Sequence, residues 1–413
     1  MSEGRHLRQD RPPPLRLLLL QVQLPPARQK QPTRLRPQQA PVAGSTSCQV
    51  VRVLAAGFVD EGVHGHDLLP AAPCVRRGLI GWRWGRGGRR VGIMRILVLG
   101  GTVFLGRAVA VEGVRRGHDV VCAARGESGV VPEGAVHVPV DRNLGLGALD
   151  GEVFDGVVDV ARSVTWVRDA VRSIRARHWA FVSTCSVYAD HATPGSMETL
   201  PPLEDDPDAP MSPERYGSVK VASENAIKEV RDAFIVRAGL ITGPGDTSDR
   251  FGYWPARLSR GGRVVVPDVP DQPAQHVDVR DLAAWIVDSA ENGTTGTFDA
   301  IGPSNPLSLL LGEIAGATAP PGTELVRVPE KVLEEHSIAP WAGPRSLPLW
   351  LPASHRALMF RDAGPALAAG LKPRPTAETA LDSLGYERGL GLDRQRRAGL
   401  PADVEAELLT AVG

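Results

Sequence analysis

Cysteine is rare in this chain. Its 413 residues hold four, Cys48, Cys74, Cys122 and Cys185, at spacings that form neither a metal-binding pair nor a dense disulfide framework. A reducing compartment, hence the cytoplasm, is the simplest setting, and Cys122, inside an apolar run, is expected to behave as a small buried hydrophobe. Long apolar runs are missing too. Nothing approaches the roughly 20 residues of a membrane span, and Leu17–Leu20 is too short for a signal-peptide core and has no small-residue cleavage site after it. There is no Gly-Lys-Thr phosphate loop and no tandem His/Cys set. His64, His66, Asp67 and Cys74 lie near one another but at no recognised ligand spacing, so no metal is expected.

Net charge is also lacking, because the total of 47 basic residues equals the 47 acidic ones. The balance is uneven along the chain: residues 1–93 hold 15 Lys and Arg against 5 Asp and Glu, which leaves 32 basic and 42 acidic residues beyond. The leader combines Pro12–Pro14, Pro25 and Pro26 with Gln/Arg-rich stretches and a Gly/Arg-dense segment at Trp82–Arg90. It shows no sustained helical or strand period, so residues 1–93 are expected to be a disordered leader or a mis-called start, with Met94 as the true beginning. An organelle presequence and a basic arm that binds nucleic acid are the competing readings.

From Met94 onward the composition is that of a soluble globular protein, since the chain as a whole is 42% hydrophobic and 23% charged. Arg95–Leu99 is a buried apolar run, followed by Phe104, Ala108 and Val111 at helical spacing with Leu105 beside them. Asp119–Ala124, Ala135–Val140, Gly156–Val160 and His178–Thr184 read as strands, and Val164–Ala176 as a surface helix. Strand–helix alternation of this kind predicts an α/β fold with a parallel sheet covered on both faces. Residues 94–245 form the expected doubly wound first domain. Residues 246–413 form a smaller α/β domain covering the substrate, with the stretch near 277–302 returning to the sheet.

Gly100-Gly101-Thr102-Val103-Phe104-Leu105-Gly106 joins the first strand to the first helix, where a tight turn aims backbone N–H groups and a helix N-terminus at a pyrophosphate. The segment resembles the glycine turn of extended or atypical short-chain dehydrogenases/reductases, the NAD-dependent epimerase/dehydratase family. Gly100 and Gly106 match the outer glycines, and Val103 stands where the family has its central one. The resemblance implies a Rossmann-like, doubly wound sheet and a cofactor held by Gly100, Thr102, Val103, Phe104, Leu105 and Gly106. A side chain at Val103 crowds the pyrophosphate's approach. At the end of the second strand, Ala124 replaces the acidic residue that would take the ribose hydroxyls of NAD, and Arg125 follows, which favours NADP over NAD. Asp141 matches the family's adenine-side acid.

Ser212 and Pro213 read as N-cap and first turn of a helix with an apolar stripe at Val219, Ala222, Ala226 and Val230. Tyr216 and Lys220 are four apart on it, hence on one face. A phenol with a pKa of about 10 is a poor base at neutral pH, and a neighbouring ammonium favours its phenolate. Upstream, Phe181-Val-Ser-Thr-Cys-Ser-Val-Tyr188 resembles the family's strand-end segment and, by register, places Thr184 in the catalytic Ser/Thr position. Ser183 is the near alternative, and Ser186 is expected to face elsewhere. The resemblance implies that Thr184 holds the substrate oxygen, that Tyr216 relays the proton and that Lys220 also binds the nicotinamide ribose.

Further stretches extend the resemblance over about 94–385: Arg237–Pro244, in which Leu240 replaces an Asn that often contacts sugar nucleotides, then His276–Ala283, with Asp278 as an N-cap, and Gly296–Gly302. Trp254, Trp341 and Trp350 suit either the pocket or the core, whereas Arg257, Arg260 and Arg280 suit solvent or an anionic substrate. The expectation is an enzyme acting on a hydroxyl or carbonyl of a small molecule, such as a sugar or sugar nucleotide, with a homodimer plausible by analogy. The alternative is a non-catalytic NAD(P)-sensing or RNA-binding protein on the same fold. The acidic body opposes nucleic acid.

Overall fold

The computed structural model describes residues 90–413, apart from 207, 210 and 230, together with 82–84. The expectations for residues 1–81, including the leader's disorder and the His64–Cys74 group, lie outside the described residues. At the leader's end, Trp82–Trp84 pairs antiparallel with Arg90–Gly92.

Seven strands form the central sheet: β1 (Arg95–Leu99), β2 (Asp119–Ala124), β3 (Val136–Pro139), β4 (Val153–Asp159), β5 (Arg175–Thr184), β6 (Phe234–Ala238) and β7 (Gly296–Ala300). Their order is β7-β6-β5-β4-β1-β2-β3, and every pairing is parallel. Parallel strands need crossover connections, and here α1 (Phe104–Arg115), α2 (Val164–Ser173), α3 (Pro213–Lys228) and α4 (Val279–Asn292) supply four of them. Helices α1 and α4, the latter with Trp285, pack over one face on Ile96, Val98, Phe234 and Val236. Helices α2 and α3 pack over the other on Leu97, Phe154, Trp179 and Phe181. Both faces are thus dry, which is why the strands read as continuous apolar runs.

The second strand matches its expected bounds. The helix expected over Val164–Ala176 instead ends at Ser173, and β5 starts at Arg175. The burial of Arg175-Ala-Arg-His alternates in the strand manner, which the four-residue stretch is too short to announce in sequence. Ser212 occupies the N-cap position of α3, but only its carbonyl takes part, accepting from the N–H groups of Arg215 and Tyr216. Its side chain makes no cap bond. Asp278 does cap α4, accepting from Arg280 N–H at 2.9 Å.

The remaining segments build a second apolar core over one end of the sheet. Two parallel strands, Arg263–Pro267 and Glu324–Val328, and the helices Leu307–Thr318, Thr376–Leu390 and Ala402–Ala411 enclose a core that includes Trp254, Leu258, Ile314 and Leu333. That core continues into Cys185, Val187, Tyr188 and Leu240, beyond the ends of β5 and β6. No helix among the described residues is long and apolar enough to cross a membrane.

Candidate active site

Because all seven strands run the same way, β1 and β5 end at the same edge of the sheet. The glycine turn follows β1, and Thr184 closes β5. Only β4 lies between them, so two strand spacings of about 4.8 Å separate turn and threonine laterally.

The turn is tight. Gly100 has φ +101°, in the left-handed region, and a Cβ on Gly106 would fall inside the carbonyl oxygen of Gly100. The outer glycines are therefore fixed by the turn's own packing. Val103 adopts ordinary extended geometry (φ −132°, ψ 140°) and is 41% exposed. Its neighbour Phe104 takes φ +38°, an uncommon angle for a side chain of that size. Thr102 and Leu105 are buried. No side chain caps α1, so the first-turn N–H groups of this helix are open to an acceptor, as an anion site requires. The turn fits a dinucleotide pyrophosphate in backbone geometry, with Val103 as the one bulky intruder.

Arg125 follows β2 with its side chain 49% exposed, its nearest carboxylate Glu127 at 3.4 Å. Asp141 caps a short 3-10 turn, accepting from Asn143 N–H at 2.9 Å, which gives its carboxylate a local structural task.

The three candidate catalytic residues converge. Thr184, Ser186, Tyr216, Arg250 and Trp341 line one cavity of about 60 Å³, closed by Leu240, Leu358 and Met359. Thr184 Oγ1 donates to Ser186 Oγ at 3.1 Å and accepts from Ser186 N–H at 3.1 Å. Ser186, expected to face elsewhere, thus shares the cavity, because the chain turns through a 3-10 helix (Cys185–Val187) immediately after β5. Ser183 points the other way and donates to Glu224 at 2.6 Å in a fully buried contact. Strand alternation therefore separates the two adjacent hydroxyls, leaving Thr184 in the cavity.

Lys220 lies one helical turn beyond Tyr216. It is 2% exposed and donates to the carbonyl oxygens of Ala161 and Val182 at 2.6 and 2.5 Å. Burial pulls its pKa from 10.5 to about 7, against the opposing pull of Asp159. Asp159 escaped the sequence reading. It ends β4 fully buried, accepts Arg142 through two bonds of 2.7 and 3.0 Å and takes the Ala161 N–H at 2.9 Å. An Asp closing an apolar strand was the available signal.

Of the three tryptophans, Trp341 lines the cavity, whereas Trp254 and Trp350 lie in the core with their indole N–H groups bonded to Pro348 O and Glu330. Arg257, Arg260 and Arg280 each pair with a carboxylate: Glu405, Asp393 and Asp278. Among the described residues no three His, Cys, Asp or Glu side chains gather as metal ligands.

Residues 155–300 match the model of the NAD dependent epimerase/dehydratase family. The matched segment is part of the chain and not the whole of it. It runs from within β4 to the end of β7 and so contains Thr184, Tyr216, Lys220 and Arg250. The glycine turn precedes it. No curated protein matches the sequence. Solved structures share the fold. The Bordetella bronchiseptica enzyme WbmH, in complex with NAD+, is 18% identical over 72% of this chain and 99% of its own, with a TM-score of 0.51. TunA, an NAD dependent NDP-hexosamine 5,6-dehydratase involved in tunicamycin biosynthesis, is 20% identical over 73% of this chain and 100% of its own, with a TM-score of 0.52. UDP-glucose 4-epimerase from Thermotoga maritima, with UDP-glucose, is 19% identical over 72% and 99%, with a TM-score of 0.50.

Proposed function

We propose that this chain is a nicotinamide-dinucleotide enzyme of the epimerase/dehydratase type, acting on a hydroxyl or carbonyl of a small molecule. The observation that carries the reading is the cavity shared by Thr184 and Tyr216, two strands from an uncapped glycine-rich turn. Thr184 orients the substrate oxygen through its hydroxyl, accepting from a substrate hydroxyl while its proton rests on Ser186, or turning that proton to a substrate carbonyl. Tyr216 takes or gives the proton of that oxygen. Lys220, anchored by two carbonyls with its Nζ 5.9 Å from the centre of the phenol ring, would hold the nicotinamide ribose and, when protonated, favour the phenolate. The nicotinamide, when bound, supplies the hydride chemistry. Such a site serves net reduction and transient oxidation alike.

Support for the dinucleotide comes from the turn's geometry and from relatives such as WbmH, whose structure holds NAD+. We further propose that NADP is preferred, because the planar fork of Arg125 suits an added phosphate and no acidic residue ends β2. A cytoplasmic homodimer fits the two buried free thiols and the family resemblance. Titration of the chain with NADPH and NADH, followed by nicotinamide fluorescence, tests the reading: saturable binding is expected, tighter for NADPH. Absence of binding by both overturns it.

A further inference from the structure

Arg250 is the cation of the cavity, and it is nearly alone. It follows the sixth strand on a loop, is half-buried, and faces the space that Thr184, Ser186 and Tyr216 line. Its Nε donates to Ser248 Oγ at 3.1 Å, and its guanidinium stacks 5.1 Å from the centre of the Trp341 ring. Among the described residues no carboxylate lies within ion-pair distance. The charged or titratable groups it senses are Asp246, which is held off by Ser248, and Tyr216. Every arginine that the sequence suggested for an anion has its own acid partner. Arg250 differs from them in that its outer nitrogens donate to no described residue.

We propose that Arg250 is the anion-recognising residue of this site, and that the substrate carries a carboxylate on the carbon beside the hydroxyl or carbonyl held by Thr184 and Tyr216. The inference rests on the proposed function for the identity of the reacting oxygen. The guanidinium lies 5.1 Å from the centre of the Trp341 ring and Ser248 takes the inner N–H, which leaves the two Nη groups of this lining residue without a described acceptor. A carboxylate fits the guanidinium fork through two parallel bonds. The volume of about 60 Å³ holds about two waters' worth of space, so a compact substrate, with anion and reacting oxygen close together, suits it. Burial lowers the pKa of the guanidinium against the opposing pull of Asp246, and an anionic ligand relieves that penalty further. The Leu240 side chain, in the wall where the family resemblance expects an amide, gives no competing polar contact to a sugar.

Glycolate and its neutral counterpart glycolamide test the proposal, because both carry the hydroxyl and only glycolate carries the charge. Binding is read by saturation-transfer NMR on the full chain without nucleotide, so the outcome is independent of NAD(P) binding and turnover. Glycolate is expected to bind and glycolamide to bind at least tenfold more weakly. Arg250→Gln should weaken glycolate by about ten- to a hundred-fold, the factor that a hydrogen bond to a charged group carries. Arg250→Lys should restore part of it, which separates lost recognition from lost folding. Equal binding of the two ligands, an undiminished glycolate affinity in Arg250→Gln, or tighter binding of inorganic phosphate than of glycolate would each overturn the assignment. If Arg250 served only to stabilise Tyr216, the first two results would appear.

Discussion

Lys220 Nζ lies 5.9 Å from the centre of the Tyr216 ring and is held there by the carbonyl oxygens of Ala161 and Val182 rather than by a carboxylate. Its pKa near 7, against 10.5 for an ordinary lysine, makes the ammonium a marginal species at neutral pH. The folded chain releases this proton as pH rises through about 7, while the unfolded chain keeps it to 10.5. Between those values the unfolded state binds one more proton, so stability rises with pH. Wild type should gain relative to Lys220→Met by up to about 1.4 kcal/mol per pH unit across that window. Urea midpoints at several pH values between 7 and 10 check this. A difference independent of pH would show that the folded and unfolded lysines titrate alike.

Tyr216 and Thr184 separate by what their removal spares. Tyr216→Phe keeps the ring and removes the proton relay, so turnover of an identified substrate should fall by about 10²–10⁴-fold with NADPH affinity unchanged. Thr184→Ser keeps a hydroxyl for Ser186 and the substrate and should retain most activity, whereas Thr184→Val should not. Steady-state kinetics beside nucleotide titrations give both readouts. Full activity in Tyr216→Phe removes the proposed relay.

Val103 governs the approach to the glycine turn. Its backbone already lies in the extended region, so glycine there relieves no strain and adds freedom to the unfolded chain. Val103→Gly should cost about 0.5–1 kcal/mol of stability while clearing the path to the open N–H groups of α1. Several-fold tighter NADPH binding with a slightly lower melting temperature is the expected pair of results. Weaker binding would mean that the valine side chain packs on the nucleotide instead of obstructing it.

How much of this was legible in the sequence follows from the range of the contacts. Local periodicity was enough for β1 and β2, for α3 and for the shared face of Tyr216 and Lys220, since those depend on neighbours a few residues away. Thr184 was placed by its register with Val187 and Tyr188. Ser186 was misplaced because a 3-10 turn breaks strand alternation directly after Thr184. Arg250 went unnoticed as a site residue, and Trp341 stayed open between pocket and core, because only long-range packing onto the sheet's edge brings them beside Tyr216. Asp159, and the pairing of Ser183 with Glu224, were hidden for the same reason: a buried charge is intelligible only with its distant partner.

Glu224 shows what such a partner does. It sits on α3, one turn after Lys220, at 1% exposure. It receives Arg237 of β6 through bonds of 3.0 and 2.7 Å and Ser183 of β5 at 2.6 Å. Burial alone would raise its pKa, but the Arg237 and Ser183 bonds win and hold it below its ordinary 4.5. A depressed carboxylate stabilises the fold fully above its ordinary value and loses that contribution as pH falls through the folded value. Glu224→Gln leaves Arg237 buried with a weaker acceptor and should cost about 3–5 kcal/mol, while removing part of the acid sensitivity below pH about 4.5. Because the same carboxylate ties α3 to the strand residue preceding Thr184, kcat in this variant should fall more than NADPH affinity. Replacing both partners, Glu224→Leu with Arg237→Met, removes the stranded charge and should recover part of the lost stability. If the double variant is no more stable than Glu224→Gln, the pair contributes more than its own desolvation costs, and its value lies in the bonds to Ser183 and Tyr188.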